Sequence, residues 1–113
     1  MARRLPSRFH EFATDYPDVA AAYEALGSSV HEAGPLDTKT RALLKLAVSV
    51  GAWLEGAVHS AVRKALEAGA TPEEIRHAIV LALPTIGFPS TMAALTWADD
   101  VLPRRRKRKA RRG

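Results

Sequence analysis

Glu55, His59 and Arg63 follow one another at intervals of four residues, the spacing that stacks side chains along one face of an α-helix. A carboxylate that orients an imidazole, an imidazole that takes and gives a proton near neutral pH, and a guanidinium that grips an anion suit acid–base chemistry on a small anionic organic molecule. On this reading His59 is the general acid or base and Glu55 holds its ring. Arg63, with the nearby Trp53, contacts the substrate. The same spacing also makes an ordinary surface charge ladder, and a His59→Ala variant with unchanged turnover would select that reading.

A second pair, Glu74 and His77, has the Glu-x-x-His spacing of di-iron helical bundles. Such a centre needs the motif twice and two further glutamates, and the chain has no second copy. Glu74 is also claimed by a capping box with Thr71. We therefore expect no metal site and no resident cofactor. The chain has no cysteine, which removes disulfides, thiolate metal sites and thiol redox chemistry. His10 and His31 have no partner pattern, and Lys45 sits on a polar stripe that favours a solvated ammonium.

The elements that would position these groups are all helical. Pro17 suits the first turn of a helix whose stripe runs through Val19, Tyr23, Leu26 and Val30, and Gly34-Pro35 closes it. Asp37 caps the next, in which Leu43, Leu44, Leu46, Val48, Val50, Trp53 and Leu54 leave only a narrow polar stripe; so apolar a helix is buried centrally or at a subunit interface. Gly51 and Gly56 bracket a bend or break before the stripe Val58, Ala61, Val62, Ala65 and Leu66, which Gly69 ends. Thr71-Pro72-Glu73-Glu74 opens another helix. Leu83-Pro84 and Gly87-Phe88-Pro89 interrupt the pattern, Ser90 offers a cap for a last helix through Leu102, and Pro103 stops it. No stretch alternates with period two, so the fold class is all-α with five or six helices.

In this order, several landmarks resemble the carboxymuconolactone decarboxylase family, which includes the alkyl hydroperoxidase D-like proteins. They are Lys39-Thr40-Arg41, Glu55, Ala65-Leu66-Glu67-Ala68-Gly69-Ala70-Thr71, Glu74-Ile75, and Gly87 with Pro89 before an Ala-rich helix. The resemblance covers about Leu36 to Leu102. It implies a helical fold assembled as trimers or hexamers, with sites near subunit contacts. In the peroxidase-like branch the junction reads Cys-Glu-x-Cys-x-x-x-His, with a glutamate directly after Lys-Thr-Arg. In ungapped register those positions are Leu54, Ala57, Ala61 and Ala42 here, and Glu55 alone matches. Leucine and alanine cannot reduce a peroxide. His59 lies two residues before the family's histidine position, about 200° round the helix from it.

One small domain is what 113 residues allow. We divide it into an N-terminal arm (1–16) packing on the body, a helical domain (17–103) and a basic tail (104–113). The tail carries eight of the seventeen basic residues, so the net charge of +5 conceals an acidic body. Such a tail is expected to be disordered and to make weak, salt-sensitive polyanion contacts. No apolar run approaches the ~20 residues that span a bilayer, and we expect a cytoplasmic homo-oligomer. Two functions stay open: a family protein with non-thiol acid–base chemistry in a pocket near Trp53 to Arg63, and a non-catalytic oligomeric binding or scaffold protein.

Overall fold

The computed structural model describes residues 7–103. Among them are six helices of nine to fifteen residues and one four-residue turn of helix: α1 (Ser7–Asp15), α2 (Pro17–His31), α3 (Thr38–Gly51), α4 (Glu55–Glu67), α5 (Pro72–Val80), α6 (Leu83–Ile86) and α7 (Phe88–Asp99). No strand occurs among the described residues, in line with the all-α reading. The chain divides after Pro35 into two compact units. The 104–113 tail, and with it the polyanion expectation, lies outside the described residues.

The first unit pairs α1 with α2. One residue, Tyr16, separates them; its amide donates to Phe12 O at 2.7 Å, its carbonyl accepts from Ala20 N, and its ring lies 5.4 Å from that of Phe12. Pro17 then starts α2 without losing a needed hydrogen bond, because the first amides of a helix have no partner within it. Ala20 is buried, but the stripe Val19, Tyr23, Leu26 and Val30 is exposed in the single chain. The 3.6-residue periodicity is present, and within this unit no described residue covers that face.

The second unit holds α3 to α7 around one core. Leu46 and Val50 of α3, Val58, Val62 and Ala65 of α4, Ile75 and Ile79 of α5, and Ala94 and Ala98 of α7 are shut off from solvent. Alanines at four of the core positions in α4 and α7 let those helices approach closely. α3 and α4 form a helical hairpin joined by Ala52–Leu54. Within one chain the burial of α3 is partial: Leu46 and Val50 are buried while Leu44 and Val48 stay exposed.

Capping fixes most boundaries. Asp37 Oδ1 accepts from Thr40 N at 2.8 Å. Thr71 and Glu74 complete the capping box in both directions, at 3.0 and 2.9 Å. α4 ends in a Schellman closure, with Ala70 N donating to Ala65 O and Gly69 N to Leu66 O, and Gly69 at φ +96° as that motif requires. At the last helix the sequence reading needs correction. α7 begins at Phe88 with Gly87, at φ +92°, as the preceding residue, so Ser90 lies inside the first turn and caps nothing. It also ends at Asp99, although Leu102 remains buried and its amide still reaches Ala98 O.

Candidate functional site

The break between α3 and α4 is where strain and chemistry meet. α3 closes with a second Schellman motif, in which Leu54 N donates to Ser49 O at 3.3 Å and Trp53 N to Val50 O at 3.0 Å. The left-handed residue is Trp53, at φ +63°, and it is the only such non-glycine residue among those described. A bulky side chain there costs about 1–2 kcal/mol relative to glycine. Its indole packs on that of Trp97, with ring centroids 4.9 Å apart at a 56° tilt, an arrangement that favours the pair. Trp53 is still half exposed. This pair forms an aromatic surface two residues before Glu55 and three before Asp100 in sequence.

The next turn of α4 carries the predicted Glu55 and His59. His59 Nε2 lies 4.0 Å from Glu55 Oε2, so helical spacing does bring them together, but a closer partner comes from elsewhere. Asp100 Oδ2, just beyond the end of α7, is 3.0 Å from the same nitrogen. The ring is only 25% exposed, while both carboxylates are open to solvent. Arg63, one turn further on, is half-buried. It belongs to the same helical face but not to this cluster.

Asp100 was not foreseen. The signal was in the sequence, because Asp99-Asp100 places two carboxylates at the negative end of a helix, where each is disfavoured unless a partner offsets it. Both have partners: Asp99 Oδ1 accepts from Arg76 Nη2 and Nε at 3.0 and 3.2 Å, and Asp100 meets His59. α4 and α5 each contribute one basic group that holds the end of α7.

The Glu74 and His77 pair does not form a site. Glu74 Oε2 accepts from Lys39 Nζ at 2.9 Å while Oε1 accepts from Thr71 N, and the ammonium and then the amide hold its carboxyl below the ordinary carboxylate range. Asp37 is held low in the same way, first by the Thr40 amide. His77 is exposed. Both carboxylates are structural: Asp37 caps α3, and Glu74, through Lys39, fixes the start of α5 to that of α3.

Two of the positions that the resemblance marks as reactive differ in burial. Ala61 is a core residue and Leu54 lies exposed at the strained junction. Comparison with known proteins agrees with the fold. The sequence matches the family model described as "Carboxymuconolactone decarboxylase family" over residues 17–100. It is 39% identical over 57 residues to an uncharacterized protein of Haemophilus influenzae, a match that covers 50% of each chain, so the chain spans about half the length of that relative. No solved structure matches.

Proposed function

Because this chain belongs to the carboxymuconolactone decarboxylase family, we propose that it catalyses proton transfer on a small organic acid, of the kind that accompanies loss of a carboxylate, with His59 as the acid–base group. The observation that carries this is the 3.0 Å contact between His59 Nε2 and Asp100 Oδ2. When Nε2–H donates to the carboxylate, the ring is held in one orientation and tautomer and Nδ1 carries the lone pair that takes or returns a proton. Asp100 and, at longer range, Glu55 stabilise the imidazolium that forms. Loss of carbon dioxide from a carboxylate leaves an electron pair on carbon, and His59 supplies the proton that quenches it. Arg63 attracts the substrate's remaining negative charge, and the Trp53–Trp97 pair offers a face to its apolar part. A thiol peroxidase reaction has no nucleophile in this chain, which lacks cysteine.

The assembly is part of the proposal. Val19, Tyr23, Leu26 and Val30 on one unit, and Leu44 and Val48 on the other, are apolar residues left exposed at helical spacing in the single chain. Trimers or hexamers of this chain would cover them and wall the half-open site. The test is carbon dioxide release from carboxymuconolactone and related small keto and lactone acids, comparing the wild type with His59→Gln. Equal rates refute the assignment.

A second reading is favoured by Ala61: where the family's histidine is expected, this chain has a residue packed into the core. On that reading the protein is an oligomeric binding or scaffold protein, which predicts ligand-dependent thermal stabilisation without turnover.

A further inference from the structure

Asp99 and Asp100 stand side by side at the negative end of α7, yet their partners differ in kind. Asp99 has a permanent guanidinium charge in Arg76. Asp100 has an imidazole, which is charged only when protonated, and that imidazole also faces Glu55. Two carboxylates and the negative end of a helix thus converge on one ring nitrogen, an arrangement that favours a cation.

We propose that Glu55, His59 and Asp100 form a binding site for one divalent transition-metal ion of the zinc or cobalt class, which takes the place of the proton shared between His59 and Asp100. One ligand atom from each residue lies within 4.8 Å of the other two. Ligands about 2.0–2.2 Å from a tetrahedral ion stand roughly 3.3–3.6 Å from one another. The separations of 3.0 Å for Nε2 to Asp100 Oδ2 and 4.0 Å for Nε2 to Glu55 Oε2 bracket that value. Both carboxylates are exposed, so their side-chain torsions can adjust these distances while the ring stays in place. A nitrogen and two carboxylate oxygens suit borderline ions such as Zn²⁺ and Co²⁺ better than Ca²⁺ or Mg²⁺, which take oxygen alone. Three protein ligands leave one position open toward solvent, where a small anion can complete the shell.

The site shares its residues with the acid–base reading but does not rest on it. Its test uses the full chain without an affinity tag, freed of metal by a chelator and titrated with Co²⁺, following the visible absorption of the bound ion and the heat of binding. One site per chain is expected, displaced by Zn²⁺, abolished in His59→Ala and His59→Gln, and retained in His77→Ala. Asp100→Asn should weaken it about tenfold or more, the loss that even outer-shell partners cause. Far-UV circular dichroism confirms that the variants are folded. The proposal is overturned by a wild type that gives no cobalt spectrum, by a spectrum that survives both His59 variants, or by an affinity unchanged in Asp100→Asn. Turnover is measured separately in chelator-treated protein, so failure of one proposal is distinguishable from failure of the other.

Discussion

Replacing Trp53 by glycine and by alanine separates the strain at the α3–α4 junction from the value of the indole. Trp53 is 50% exposed, so of the ~150–250 Å² that a fully buried tryptophan hides, about 100 Å² is removed from water here. At ~25 cal/mol per Å² that burial stabilises the fold by at most about 2.5 kcal/mol. The contact with Trp97 adds ~0.5–1.5 kcal/mol. Against this stands the ~1–2 kcal/mol cost of a side chain at φ +63°. Trp53→Ala loses the indole and keeps the strain, and should destabilise by about 3–4 kcal/mol. Trp53→Gly loses the indole and the strain together but adds ~0.4–1 kcal/mol of chain entropy to the unfolded state, and should cost about 2–3 kcal/mol. Urea denaturation followed by far-UV circular dichroism gives both values. If the glycine variant is as stable as the wild type or more so, the indole contributes nothing and the Trp53–Trp97 pair does not hold the junction. If the glycine variant is less stable than the alanine variant by ~0.4–1 kcal/mol, only the chain-entropy difference is left and the left-handed strain is not there.

Gly69→Ala probes the sister motif: a methyl group there meets nothing within 4 Å. Its penalty is therefore conformational alone, about 1 kcal/mol once the ~0.4–1 kcal/mol entropy gain in the unfolded chain is set against the strain, and thermal denaturation should show it as a fall of roughly 4–8 °C. Ile79→Ala empties a fully buried position between α5 and its neighbours and should cost about 2–5 kcal/mol in urea denaturation, against little for exposed Val48→Ala. Asp37 and Glu74 have carboxyls held below their ordinary values of 3.8 and 4.5. A lowered folded-state value means that the stabilisation is complete above the unfolded value and disappears as pH falls through the folded one. Melting temperature should thus be level above about pH 5 and fall below about pH 4, and the double variant Asp37→Asn, Glu74→Gln should show a shallower acid limb.

The helices were legible because their signals are local. Asp37 and the Thr71–Glu74 box cap what they were expected to cap, and Gly69 ends α4. α7 was misjudged because Gly87 starts it through backbone freedom, which leaves no side-chain cap to read, and because Leu102 is buried without being helical. At the site, Glu55 and His59 lie one turn apart and could be paired by counting. Asp100 could not, since its approach to His59 depends on how α7 packs across α4. Arg63 satisfied the same spacing as His59, yet no contact joins it to the ring. Helical spacing places residues on a face; tertiary packing decides which of them acquire partners.

The two ends of the His59–Asp100 contact are 41 residues apart, and those of Arg76–Asp99 are 23 apart. Every other part of the cluster is complete within one turn of α4. Contacts with distant partners must overcome the entropy of closing long loops, so they form after the local hairpins. A chain that has built α3, α4 and α5 but not docked α7 has a surface histidine beside a glutamate and nothing more. The His59–Asp100 contact is therefore a late product of folding, and its appearance during refolding should lag behind the recovery of helix.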